Sequence, residues 1–209
     1  ALVMLHQRMP AILENQQNRR WEPIYTPPIA GKTVVIVGFG DLGENSGRAA
    51  KALGMKVIAV TRSGKPHKLA DRVVKTAQLD KVLPKADYVV VTTPLTAETR
   101  GLLSKARLDL LQPHAGLINI GRAPIIDYEA LRAKLDQGQM AGAVLDVFDT
   151  EPLPPDSPWW RTKNTIVLPH LSCDDPRYIQ RLFDSWFANF ERFLAGKKLN
   201  NIVDRKLGY

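Results

Sequence analysis

Short runs of β-branched and aliphatic residues punctuate this chain, and between them apolar positions recur three or four residues apart. The first run, Thr33–Val37, is followed at Lys56–Val60, Asp87–Thr92, Gly116–Asn119, Met140–Leu145 and Thr165–Leu168 by others of the same kind. Unbroken apolar runs of that length predict strands buried on both faces. Helical spacing predicts helices over Leu42–Leu53, Leu102–Leu111 and Asp127–Gln137, the last with Asp127 as its N-cap, and a short helical turn at Leu79–Leu83. Strands alternating with helices imply an α/β fold, a doubly wound parallel sheet covered on both faces.

Two segments stand outside that alternation. Leu2, Leu5, Met9, Ile12 and Leu13 keep helical spacing, with Pro10 expected to kink or break the helix, and a Pro-rich connector from Trp21 to Pro28 leads into the first strand. Pro152–Pro158 carries four prolines and reads as a loop. Beyond it Ile179, Leu182, Phe183, Trp186, Phe187, Phe190, Phe193 and Leu194 form one apolar helical face stopped by Gly196, a face that belongs in a core or an interface.

The most informative stretch is TVVIVGFGDLG (Thr33–Gly43), where a strand runs into Gly38, Gly40 and Gly43 in the spacing G-x-G-x-x-G and a helix follows. The first glycine permits a tight turn, the second lets a pyrophosphate approach the backbone, and the third allows close helix–strand packing. The helix start turns its unpaired N–H groups toward the phosphates. The turn therefore reads as a dinucleotide site.

Bulk properties narrow the class. At 209 residues and 44% apolar content the chain can bury a large core. It has no apolar run long enough to span a membrane. One cysteine, Cys173, fits a reducing, cytoplasmic setting. The net charge of +8 is spread along the chain rather than gathered, which argues for an anionic cofactor or a basic surface over nucleic acid.

Taken together, the glycine turn, PLTAETRGLL (Pro94–Leu103), NIGRAPIID (Asn119–Asp127), AGAVLDVFDTEPLP (Ala141–Pro154) and LPH (Leu168–His170) resemble, in order and spacing, the D-isomer-specific 2-hydroxyacid dehydrogenase family. The closing NIVDRKLGY resembles the family's C-terminal tail. The resemblance implies a Rossmann-type cofactor domain over 23–172, preceded by an interdomain or dimer-contact helix at 1–22. It also implies that 173–209 returns to a substrate domain built in the family from about a hundred further residues, so that the chain reads as the cofactor part of a larger, cytoplasmic, homodimeric enzyme without nucleic-acid or membrane partners.

The same resemblance implies reduction of a small 2-keto acid, of the glyoxylate or hydroxypyruvate type, to a D-2-hydroxy acid. His170 matches the acid/base, Glu151 the carboxylate that supports its imidazolium form, and Arg122 the cation that holds the substrate carboxylate. Asp146 matches the acid facing the nicotinamide. Gly38, Gly40, Asp41, Leu42, Gly43, Pro94, Thr99, Ile120 and Gly121 match cofactor contacts, and no metal ligands are implied.

The end of the second strand bears on cofactor choice. Members preferring NAD carry an acid there for the ribose hydroxyls, whereas this chain has Thr61, Arg62 and Ser63, with Lys65 beyond. That is like the NADP-preferring glyoxylate/hydroxypyruvate reductases, so NADP is expected over NAD. Asp41 departs from the family pattern, since a carboxylate beside the pyrophosphate must point away or find a cation. Glu44 adds a second negative charge on a helical turn whose dipole favours it, and Ala123 replaces a common Gly. Trp159-Trp160 are read either as a cleft mouth or as loop core, and His6, His67 and His114 receive no role. A competing reading is a non-catalytic, cofactor-sensing interaction protein resembling the family's corepressors.

Overall fold

The computed structural model describes residues 1–172 and 175–205; Cys173 and the end of the closing tail lie outside the described residues. Seven strands, β1 (Thr33–Val37), β2 (Lys56–Thr61), β3 (Arg72–Lys75), β4 (Tyr88–Val91), β5 (Gly116–Asn119), β6 (Gly142–Leu145) and β7 (Thr165–Val167), form one sheet. Its order is β3-β2-β1-β4-β5-β6-β7 and every pairing is parallel. This is a Rossmann-type α/β sheet, as the strand pattern predicts.

The strand composition follows from burial on both faces. Val35 and Val37 join one core with Ile58, Val60, Val89, Val91, Leu117 and Leu145. Their neighbours Val34 and Ile36 join the other with Val57, Tyr88, Val90, Ile118 and Val144. Successive side chains point to opposite faces, so a strand with two dry faces has no polar position left.

The helices are α1 (Leu2–His6), α2 (Met9–Gln17), α3 (Asp41–Ala52), α4 (Lys105–Leu108), α5 (Tyr128–Asp136) and α6 (Tyr178–Leu194). The expected N-terminal helix is two, broken where Arg8 turns left-handed at φ 54°, with Pro10 in the first turn of α2, where a missing N–H costs nothing. In α5 the Asp127 carboxylate accepts from the Ala130 N–H at 3.0 Å, as a cap should.

Two local readings need correction. The helix expected over Leu102–Leu111 shrinks to the four-residue α4, because the Leu103 backbone pairs with Ile125 and Asp127 in a parallel bridge. β3 is a further strand that the apolar runs do not predict, because only Val74 in it is buried, as befits a short edge strand.

The chain divides into two compact units, Ala1–His170 and Leu171–Tyr209. In the second, α6 stacks Trp186 on Phe190, with ring centroids 5.3 Å apart, and Asn189 exchanges two hydrogen bonds with the backbone of Asn200. Its apolar face is exposed along its length, from Phe190 at 43% to Leu194 at 69%.

Candidate functional site

The chain order places a switch at β1: the connection from β1 leads to β2 on one side, while β4 lies on the other. Ligands of open α/β sheets bind at the carboxyl ends of the strands beside such a point. Gly38 follows β1 there with φ +90°, its N–H donating to Val60 O at 2.9 Å. Thr92, after β4, donates its hydroxyl to Gly38 O at 2.9 Å. The turn is thus clamped from both neighbouring strands.

The three glycines do different work. A Cβ on Gly43 would run into the Gly38 carbonyl, so α3 leaves the turn at backbone contact. A Cβ on Gly40 would meet nothing within 4 Å. Gly40 is also the N-cap of α3, and no side chain caps that helix. Beside the turn, Thr93 has a buried hydroxyl without a hydrogen-bond partner among the described residues. Open space at Gly40, a helix start with unmet N–H groups and an orphaned hydroxyl fit a dinucleotide whose phosphates sit on α3. Asp41 and Leu42 lie exposed on that first helical turn.

At the end of β2, Thr61 accepts the Gly64 N–H through its hydroxyl at 2.9 Å, and Ser63 accepts the Lys65 N–H at 3.3 Å. These bonds fold Thr61, exposed Arg62 and Ser63 into a tight turn. Past β4, Thr99 Oγ1 donates to Pro94 O at 2.7 Å and accepts from Thr96 N at 2.8 Å, which shapes the loop that starts at Pro94.

At the end of β5 the organiser is Asn119, fully buried and without an assigned role in the sequence reading. Its amide accepts from Gly121 N at 3.0 Å and donates to Arg122 O at 3.2 Å and to the Tyr128 hydroxyl at 2.9 Å. Tyr128 passes the chain on to Val147 O at 2.8 Å. Burial pushes the Tyr128 hydroxyl well above its ordinary range, which keeps it a neutral donor. One buried amide therefore fixes both the Ile120–Arg122 loop and the loop after β6. Gly121 approaches Thr93 so closely that a Cβ would lie 2.8 Å from the Thr93 carbonyl. Exposed Arg122 folds back to donate to Gly121 O at 2.7 Å. Asp146 is buried at the end of β6.

Glu151 and His170 meet beyond β6 and β7. His170 Nδ1 lies 2.7 Å from Glu151 Oε2, and Glu151 Oε1 accepts the Phe148 N–H at 2.8 Å. A carboxylate only accepts, so Nδ1 carries the proton and Nε2 is left as the nitrogen to meet a ligand. Burial pushes the Glu151 carboxyl up. The bonds from His170 and Phe148, with the charges of His170 and Arg122, outweigh it and hold the carboxyl below its ordinary range. His170 itself sits at φ 53°, a left-handed conformation that costs an L residue about 1 kcal/mol. Trp159 fills the loop core behind this region, edge-on to Tyr128 at 5.1 Å, while Trp160 is half exposed.

The structure thus brings the glycine turn, the Thr61–Ser63 turn, the Asn119–Arg122 loop, Asp146 and the Glu151–His170 pair to the strands' carboxyl edge, each just past its own strand. A cavity of about 550 Å³ lies at the opposite edge, lined by His6, Lys32, Asp87, Tyr88 and His114 among others. Its polar groups already serve one another: His6 bonds Tyr88 and Pro27, and Asp87 binds Lys32, His114 and the Thr33 N–H. Among the described residues, no helix is long and apolar enough to cross a membrane.

Comparison with known proteins agrees with this fold. The family model for the NAD binding domain of D-isomer specific 2-hydroxyacid dehydrogenases matches residues 1–172. A glyoxylate reductase of Thermococcus onnurineus is 38% identical over 86% of the chain and 53% of its own length. A hydroxypyruvate reductase of Blautia hydrogenotrophica is 35% identical over 81% of the chain and 52% of its own. The chain therefore spans about half the length of these curated relatives.

Among solved structures, a D-isomer specific 2-hydroxyacid dehydrogenase from Xanthobacter autotrophicus in complex with NADPH and MES superposes with TM-score 0.90 at 33% identity, covering 99% of this chain and 85% of that one. An NADPH-dependent glyoxylate/hydroxypyruvate reductase from Sinorhizobium meliloti in complex with NADP and sulfate gives 0.91 at 31%, covering 99% and 66%.

Proposed function

Because the chain belongs to the D-isomer specific 2-hydroxyacid dehydrogenase family through its NAD binding domain, we propose that it binds NADPH and serves the reduction of a small 2-keto acid, of the glyoxylate or hydroxypyruvate type, in the native protein. The observation that carries the reading is the 2.7 Å bond between His170 Nδ1 and Glu151, at the same sheet edge as the glycine turn.

In this proposal Gly40 and the start of α3 would hold the pyrophosphate, with Asp41, Leu42 and Gly43 beside it. The Thr61–Ser63 turn, which carries no carboxylate of its own, would take the ribose 2′-phosphate. Pro94, Thr99, Ile120 and Gly121 would line the nicotinamide half, and Asp146 would face its carboxamide. When bound, the cofactor supplies a hydride. Arg122 holds the substrate carboxylate in its planar fork and polarises the carbonyl. His170 would give its Nε2 proton to the carbonyl oxygen, and with the hydride that the cofactor would supply at the carbon the product would be the hydroxy acid. Glu151 stabilises the imidazolium before transfer and keeps Nδ1 protonated afterwards.

Support for NADP comes from the absence of an acid among Thr61–Ser63 and from the bound NADP(H) of the two structural relatives. The test is oxidation of NADPH by the native protein with glyoxylate and hydroxypyruvate. His170→Ala should lower kcat by about 10²- to 10⁴-fold and leave the affinity for NADPH unchanged. Wild-type turnover in that variant would overturn the assignment.

A further inference from the structure

The glycine turn and the Thr61–Ser63 turn are separate in sequence, yet one side chain joins them. His67, in the loop after β2, accepts the Leu69 N–H on Nδ1 at 3.3 Å. An acceptor nitrogen carries no proton, so the ring proton is on Nε2. Nε2 lies 3.2 Å from Oε1 of Glu44, on the first turn of α3, and donates to it. The ring also stands edge-on to Phe39, the residue between Gly38 and Gly40, with centroids 5.1 Å apart at 72°. Further along the loop, Ala70 N–H donates to His67 O at 3.0 Å. The imidazole is gripped by its own loop, by the helix start and by the glycine turn.

Glu44 is what gives this contact a consequence. Its carboxylate is favoured at a helix N-terminus but opposes phosphates arriving there. A donor from the loop side draws its charge into a hydrogen bond and fixes it on the side of α3 that faces the loop. The same bond fixes the loop carrying Arg62, Ser63 and Lys65 against the helix.

We propose that His67 is a positioning residue for cofactor selection. It satisfies the Glu44 carboxylate with a hydrogen bond, so that a dinucleotide bearing a 2′-phosphate meets the Thr61–Ala70 loop without that charge opposing it. This rests on the NADP reading above, and the experiment separates the two.

The experiment is a titration of NADPH and NADH into the chain, followed by nicotinamide fluorescence, for the wild type, Glu44→Gln, His67→Ala, the double variant and His67→Gln. Both side chains of the pair are partly exposed, so His67→Ala should weaken NADPH binding by about three- to fivefold and NADH binding less. Glu44→Gln in that background should restore NADPH affinity, since it removes the charge that His67 hydrogen-bonds. His67→Gln, which keeps a donor, should bind like the wild type, and melting temperatures without cofactor should stay close together. Additive effects of the two single substitutions, or a loss that Glu44→Gln fails to restore, would overturn the role of His67 with either cofactor. Equal wild-type affinity for NADPH and NADH would instead overturn the NADP reading.

Discussion

Gly40→Ala and Gly43→Ala make the same chemical change three residues apart, and the structure demands opposite outcomes. At Gly43 the new methyl group would overlap the Gly38 carbonyl oxygen and lie 3.0 Å from its carbon and 3.1 Å from Thr92 Oγ1. Neither backbone atom is free to yield, because Gly38 is bonded to Val60 on one side and to Thr92 on the other. Overpacking of this kind costs about 1–3 kcal/mol, and pulling the turn off Thr92 costs about 1 kcal/mol more. Replacing Gly by Ala inside a helix returns about 1 kcal/mol. The net loss is about 1–3 kcal/mol, which at 2–4 °C per kcal/mol for a chain of this size lowers Tm by about 2–12 °C. At Gly40 there is no atom to meet and φ is −89°, open to any residue. Its substitution should change stability by less than about 1 kcal/mol, the difference between Gly and Ala at an N-cap. The methyl group would instead occupy the face on which a pyrophosphate must rest, so NADPH affinity should fall about tenfold or more, or 1.4 kcal/mol. Thermal melts of the chain and a fluorescence titration of NADPH read both quantities. Wild-type melting in the Gly43 variant, or wild-type affinity in the Gly40 variant, would refute the reasoning.

Asn119→Ala should cost about 2–4 kcal/mol, since it strips a buried amide of three partners and leaves the Gly121 N–H unmet; denaturant melts measure this, and a loss under 1 kcal/mol would remove Asn119 as the organiser of the two loops. Because the Glu151 carboxyl lies below its ordinary range in the folded chain, its contribution to stability is present above the unfolded value of about 4.3 and disappears as pH falls through the lower folded value. The melting difference between the wild type and Glu151→Gln should therefore be present at about pH 5 and close on further acidification. Arg62→Ala should reduce affinity for NADPH by about fivefold or more, the loss of one charged hydrogen bond to phosphate, with little change for NADH; an equal loss for both cofactors would move the 2′-phosphate away from the Thr61–Ser63 turn.

Much of this protein is decided locally. A strand dry on both faces can only be written in apolar residues, so Val34–Val37 and Val89–Val91 announce a parallel sheet without any knowledge of its partners. The glycines of the turn are equally legible, because a left-handed φ at Gly38 and a backbone contact at Gly43 exclude other residues whatever surrounds them. Asp127 caps α5 through a bond three residues away, again a local matter. Glu151 and His170 were legible as members of motifs, but their bond joins residues nineteen apart in the chain and exists only because β6 and β7 pair.

Tertiary structure decided what depends on which strands become neighbours. Leu102–Leu111 has helical spacing, yet a bridge to Ile126 takes the backbone of Leu103 and leaves α4 one turn long. Asn119 reads as an ordinary polar residue in a motif until β5 carries it into a dry layer, where its amide bonds the loop that follows it and the hydroxyl of Tyr128 at the start of α5. His67 sits in no motif, and its contacts with Glu44 and Phe39 exist because β1 and β2 are neighbours. Spacing along the chain reveals periodicity and turn chemistry because those act over a few residues. Polar groups that hold distant loops leave no period, since their partners are chosen by the fold and not by their place in the sequence.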